Sequence, residues 1–282
     1  MLKLGLGIDK SREVIVSLSP IQKYLLNTNI TDTNLITAVT NFYNDLVSNN
    51  LFAKLEICYP MITDKILSVD CLVQHSFNLV DADKFQLTYF NTPVADKIGI
   101  QWNSVNKSYA NTGYTPLTHH NTMTLTQSCG GVYQTTNAGN SADFGSNNAV
   151  GSNKSFCMSS NLGSDLYDAM NCNIQFNTIP DSTLGQNTMI RDGSATTFTV
   201  RRNGIVTKTF TAATVVDYCD LPLLIGALGP ITNNLWSNNK VNHMFVGSFT
   251  VAELTLYETL VNNFQGAVDT ALSLGAGARK KY

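Results

Sequence analysis

Charge is what this 282-residue sequence has least of: only 13% of it is Asp, Glu, Lys or Arg, about half the usual share. Glutamate is scarcer still, with none between Glu56 and Glu253. The middle of the chain therefore has no pair of glutamates of the kind a glycosidase sets across a groove. Aspartates are scattered there, among them Asp143, Asp165, Asp168 and Asp181. Asp165 and Asp168 are spaced to share a calcium ion with loop carbonyls, although a solvated loop is the expected setting. No HExxH, HxH, CxxC or GxSxG occurs, so the metal and serine-nucleophile signatures are missing. Gly5-Leu6-Gly7 is followed by neither the third glycine of a dinucleotide fingerprint nor a Gly-Lys-Ser/Thr phosphate loop. His119 and His120 would point to opposite faces of a strand and so not share one metal. These absences point away from an enzyme, and no cofactor is expected.

Other absences narrow the class further. No run of eighteen apolar residues is present, so no membrane-crossing helix is expected. A net charge of −2 supplies no basic face for nucleic acid. The opening MLKLGLGIDKSR lacks the apolar run and small-residue cleavage site of a secretory signal. The six cysteines at 58, 71, 129, 157, 172 and 219 are therefore expected as buried thiols from a reducing cytosol, not as disulfides or metal ligands.

What fills the chain instead is Asn, Thr, Ser and Gly between short apolar runs, a composition of turns and strands. Residues 1–20, with Gly5, Gly7 and a stop at Pro20, read as an extended arm, and the arm region is drawn at 1–30. Residues 31–50 read as a helix, capped by Thr31 or Asp32, with Leu35, Val39, Phe42 and Leu46 on one face. Leu55, Ile57 and Tyr59 then alternate as in a strand that stops at Pro60. From 65 to 247 the pattern is strand and turn, including Phe85–Phe90 and Thr122–Thr126. Asn203-Gly204, between Thr196–Arg202 and Ile205–Phe210, is a two-residue hairpin signal because both positions tolerate positive φ. Residues 137–153 read as exposed loop. Residues 250–272 form the second helix, with a Thr250/Glu253 capping box and a stripe of Leu254, Tyr257, Val261, Phe264 and Val268. The expected fold is mainly β, a concanavalin A-like jelly-roll sandwich over 31–272 with an N-terminal arm, one N-terminal helix and one C-terminal helix. A basic tail follows at 273–282.

The order of segments resembles a family of tailed-bacteriophage virion proteins, found as tail, fibre or capsid-decorating subunits. The stretch ITDTNLITAVTNFYNDLVSNNLFAKLEICYPMI carries the family's opening helix and strand through Leu51, Phe52, Lys54, Ile57, Tyr59 and Pro60. HSFNLVDADKFQLTYF is similar to its next strand, at Asn78-Leu79 and Phe85–Phe90. TFTVRRNGIVTKTF and LPLLIGALG are similar to its later strands, and FVGSFTVAELTLYETLVNNFQGAV to its closing strand and helix. The family's Gly-Gly-Trp-Thr-His segment is replaced by TPVADKIGIQW.

The resemblance implies a jelly roll and a structural role in the virion, assembled in the host bacterial cytoplasm, as a head-fibre, capsid-decoration or tail protein. The implied partners are other virion subunits (capsid, portal or tail) and further copies of the same chain. No catalytic residue carries over. Leu2, Leu4, Leu6 and Ile8 of the arm and Arg279, Lys280 and Lys281 of the tail are the expected assembly contacts. The rival expectation is a fibre head that binds a host surface glycan, with Trp102, Tyr109, Tyr114 and Trp236 as the stacking rings.

Overall fold

The computed structural model describes residues 17–136, 141–147, 154–161, 166–173, 175–177, 184–229 and 236–282. Helix α1 (Pro20–Thr28) begins where Ser19 and Gln22 form a capping box with proline in the first turn, and ends at Asn29 in the left-handed region. Helix α2 (Thr33–Ser48) is capped by Asp32, whose carboxylate accepts the Leu35 amide. Its predicted stripe of Leu35, Val39, Phe42 and Leu46 is buried. Two shorter helices, α3 (Ser68–His75) and α4 (Pro116–His119), lie in the connections. Helix α5 (Val251–Ala271) starts at the predicted Thr250/Glu253 box.

The rest is a jelly-roll β-sandwich of two antiparallel sheets. The first holds β1 (Leu55–Tyr59), β3 (Val94–Asp96), β4 (Gly99–Gln101), β6 (Gln127–Gln134), β11 (Gly185–Asp192), β12 (Phe198–Arg202), β13 (Ile205–Phe210) and β15 (Lys240–Gly247). Its order is β13-β12-β11-β6-β15-β4-β3, with β1 also on β15. The second holds β2 (Thr88–Phe90), β5 (Tyr109–Asn111), β7 (Ser141–Asn147), β8 (Ser155–Asn161), β9 (Leu166–Cys172), β10 (Gln175–Asn177) and β14 (Leu224–Ile225). Its order is β10-β9-β8-β7-β14-β5-β2. The chain passes repeatedly from one sheet to the other, so strands remote in sequence become neighbours. Asn203 and Gly204 turn the β12–β13 hairpin at φ of 50° and 78°, as the sequence predicts.

Two cores share the first sheet. One lies between the sheets and contains Ile57, Ile100, Trp102, Tyr114, Val132, Phe144, Phe156, Met170, Met189, Val200 and Met244. The other lies between the first sheet and the helices, where Cys129, Tyr133, Ile190 and Phe245 meet Leu35, Val39, Phe42, Tyr257, Val261 and Phe264. Phe42 of α2 stacks on Phe264 of α5 at 4.6 Å. The architecture is thus three layers, helices on sheet on sheet, and β15 is buried on both faces: Met244 and Val246 enter one core, Phe245 the other.

Several expectations need correction. The arm does not extend through residue 30: Pro20–Thr28 is helical and Tyr24 is fully buried, because the Ser19 cap and Pro20 start a helix there instead of ending a coil. Two N-terminal helices precede the sandwich, not one. Residues 1–16 lie outside the described residues. The strand of Phe85–Phe90 shortens to Thr88–Phe90 because Phe85 takes φ 57°. Thr122–Thr126 is not a strand. The Glu56 carboxylate accepts the amides of Asn121, Thr122 and Met123 and folds that segment back onto β1. Residues 137–153 are not all exposed loop: Ser141–Asn147 is β7, with Ala142–Ser146 buried.

Candidate functional site

The four rings expected to stack on a glycan divide into two groups. Trp102 and Tyr114 are 1% and 0% exposed within the inter-sheet core, so neither is a sugar platform. Tyr109 and Trp236 do come together. Tyr109 and Ala110 alternate along β5, Ala110 entering the inter-sheet core and Tyr109 turning to the outer face of the second sheet. There Tyr109 lies 5.6 Å from the Trp236 ring and stacks on Phe90 of β2, its cross-strand partner, at 4.6 Å and 7°. The Lys107 ammonium sits 6.0 Å from the Trp236 centroid. Tyr109 and Trp236 are each 6% exposed while Phe90 is 38% exposed, so Phe90 presents the open ring of the cluster. Sequence reading missed Phe90 because it treated the segment only as a strand, not as the cross-strand neighbour of Tyr109.

The tail residues behave unlike a solvated terminus. Arg279 is fully buried. Its guanidinium donates to the carbonyls of Pro60, Met61, Lys97 and Asn242 and to Gln265 Oε1, at 2.8–3.2 Å. The Asp269 carboxylate accepts the amides of Arg279 and Lys280. Burial lowers the Arg279 pKa to about 10, with Asp269 opposing that shift, so the side chain stays charged at neutral pH. Arg279 therefore fastens the tail to the Pro60–Met61 segment that follows β1, the β3–β4 turn, β15 and α5, and it is not an external contact. Lys280 and Lys281 remain partly exposed. Leu2, Leu4, Leu6 and Ile8 lie outside the described residues.

The remaining candidates for chemistry are occupied structurally. His119 Nδ1 accepts the Thr115 amide, and His120 stacks on Tyr218 at 4.1 Å. Among the described residues no group of three or more His, Cys, Asp or Glu is placed to hold a metal ion. Asp168 is not in a solvated loop: it is fully buried on β9. It faces Arg202 between the sheets, and burial pushes its pKa up to about 6 despite that guanidinium. Asp165 and Asp181 lie outside the described residues. All six cysteines are buried and none is in a disulfide. Burial pushes the Cys58 and Cys219 thiols up to about 12 and 11, away from nucleophilic thiolate. No described helix is long and apolar enough to cross a membrane.

One surface was not anticipated. Ile66, Leu67, Val69 and Val73, in and just before α3, are 86%, 65%, 66% and 55% exposed. Val69, Leu72 and Val73 form one wall of an open groove of about 280 Å³, and Gln86, Leu87 and Tyr89 line its other side beside β2. Among the described residues that line it, only Ser76 and Gln86 lack an aliphatic or aromatic side chain, so the groove suits an apolar ligand more than a polar one. The signal in the sequence was ILSVDCLV (66–73), too apolar all round for a short surface helix.

Neither a protein-family model nor a curated protein matches the sequence. Among solved structures the chain is similar to Trypanosoma rangeli sialidase in complex with 2,3-difluoro-KDN (10% identity, TM-score 0.49, 79% of this chain and 39% of that one). It is also similar to NanB sialidase from Streptococcus pneumoniae (16%, 0.36, 46% and 23%). A third is the Ruminococcus gnavus IT-sialidase CBM40 bound to α2,6 sialyllactose (13%, 0.34, 46% and 82%). The chain thus spans 39% and 23% of the two sialidases. No residue role carries over from these likenesses.

Proposed function

We propose that the chain is a non-enzymatic structural subunit of a bacteriophage particle, an exterior head-fibre, capsid-decoration or tail component that works by rigid shape and repeated contacts. The observation that carries an assembly role is the exposed apolar band of Ile66, Leu67, Val69 and Val73 on a body whose other apolar stripes are buried in two cores. Contiguous apolar surface of this kind marks an interaction site. The phage assignment rests on the order of segments between Ile30 and Val268. Partners are other virion subunits and copies of this chain, which gain from multivalent attachment. Mass spectrometry and cryo-electron microscopy of purified particles test the reading. Stoichiometric density on the head or tail supports it, and absence of the chain from particles overturns it.

A second reading follows from the Phe90–Tyr109–Trp236 cluster with Lys107 alongside. An aromatic face with adjoining hydrogen-bond donors suits a host surface glycan. Saturable binding on a glycan array that disappears in Phe90→Ala favours this role, and an array without any binding rejects it.

A further inference from the structure

We infer that the ligand of the Phe90–Tyr109–Trp236 face is an acidic glycan, whose anionic group is held by Lys107 while a sugar ring stacks on Phe90. The inference rests on the glycan reading above and adds to it the sign of the ligand's charge. Residues 88–93, 103–111, 224–229 and 236–239 carry the cluster and its neighbours, and Lys107 is the one charged residue in them. Around them, residues 97–142 and 221–252 contain no Asp or Glu. Among the described residues no carboxylate lies within ion-pair distance of the Lys107 ammonium. Acidic residues outnumber basic ones in the whole chain, 20 to 18, yet this face presents a cation without a counterion.

The cation is also held in place. The Ser108 amide donates to the Asn103 carbonyl and the Asn103 amide to Ser108 Oγ, while Asn103 Oδ1 accepts the amides of Val105 and Asn106. The turn over 103–108 is therefore closed on itself. Within it Lys107 takes φ 58°, a region lysine seldom occupies. Asn91, the residue after Phe90, donates its Nδ2 to the Lys107 carbonyl at 3.0 Å. That bond ties the backbone of the cation to the strand end that carries the open ring. The ammonium then sits 6.0 Å from the Trp236 centroid, within reach of the ring's negative face. An ammonium has three donors and no acceptor, and its strongest partner is an ionised oxygen. Neutral groups for sugar hydroxyls stand beside it on the exposed side chains of Asn91, Thr92 and Asn106. A ring to stack on, neutral hydrogen-bonding groups and one fixed positive charge together fit a sugar that bears a carboxylate or a sulfate ester. A single ammonium acts as a point charge and takes either group.

The test uses the full chain and an array printed with matched probes: neutral oligosaccharides, and the same backbones bearing a uronic carboxylate or a sulfate ester. The expected result is that the acidic members of the sets are bound in preference to the neutral ones, and the two kinds of acidic probe tell which group is taken. The best-bound acidic probe is then titrated. Its affinity should fall at least fivefold in Lys107→Gln, stay within about twofold in Lys107→Arg, and be unchanged in Lys208→Gln. The last variant removes the same charge from an exposed site on β13, in the other sheet. The Lys107 side chain is exposed, so Lys107→Gln should melt with the wild type, and its loss is then one of binding.

The remaining outcomes separate this inference from the reading beneath it. Neutral probes bound as tightly as acidic ones, with binding lost in Phe90→Ala but unchanged in Lys107→Gln, overturn the acidic ligand and leave the glycan reading standing. Equal losses in Lys107→Gln and Lys208→Gln reveal a diffuse charge effect and also overturn it. An array on which no probe binds overturns both.

Discussion

Replacing Arg279 by methionine keeps much of the side-chain volume but deletes five hydrogen bonds and leaves four backbone carbonyls without that donor. Bonds made by one side chain are not additive, and removing one member of a buried, hydrogen-bonded charge network costs roughly 3–5 kcal/mol. For a chain of this length that is a fall in Tm of roughly 6–20 °C. Urea titration gives the free energy directly, and the slope should stay constant if only stability changes. Lys280→Ala and Lys281→Ala are the matched controls, since both side chains are partly exposed; each should cost about 0.5 kcal/mol or less. A loss under about 1 kcal/mol for Arg279→Met, or equal effects at all three positions, would refute the fastening role and restore the tail as a solvated terminus.

Three further outcomes follow from buried groups. His75 and His243 are fully buried and desolvation lowers both pKa values to about 3. The unfolded chain therefore binds more protons below its own histidine pKa, and stability is present above about pH 6.5 and falls with acidification by roughly 1.4 kcal/mol per pH unit for each histidine. Asp168, raised to about 6, opposes one of them between about pH 4 and 6, so the net slope there should be that of a single group. Urea melts from pH 4.5 to 6.5 should show this decline and a shallower one in His243→Gln; an unchanged slope in that variant sinks the argument. Gly131 lies in central strand β6, where an added Cβ would come within 2.5 Å of the Asn187 carbonyl oxygen and 2.7 Å of Thr188 Cγ2. Gly131→Ala should destabilise by about 2–3 kcal/mol in thermal melts, and a wild-type Tm would refute the packing. The six thiols should ignore a disulfide exchange reagent in the native protein and all react in denaturant, with any fast native reaction contradicting their burial.

Elements with a local signal were legible in the sequence. The Thr250/Glu253 box, the Asp32 cap, the stripes of α2 and α5 and the Asn203-Gly204 turn all depend on residues within a few positions of one another. The third layer was less visible, because β15 is buried on both faces and so lacks the alternation that marks a half-exposed strand. The Glu56 cap on residues 121–123 and the Arg279 anchor join positions 65 and about 220 residues apart. Nothing in local periodicity distinguishes such residues from surface charges. The candidate site was half legible for the same reason: aromatic type and loop-like neighbourhood selected Tyr109 and Trp236, but equally selected Trp102 and Tyr114, which the sandwich buries.

The position of β15 has a consequence for biosynthesis. This strand lies between β6 on one side and β4 and β1 on the other, yet at Lys240–Gly247 it is made after all three of them. As the polypeptide leaves the ribosome, β1, β4 and β6 wait without their common partner, and the underside of the helical layer waits with them. Closure is thus a late, non-local event, of the kind that folds slowly and exposes apolar surface meanwhile. Premature termination anywhere before residue 247 would leave the sheet split down its middle, so chains stopped short of β15 would be open to chaperones and proteases while chains that include it would not.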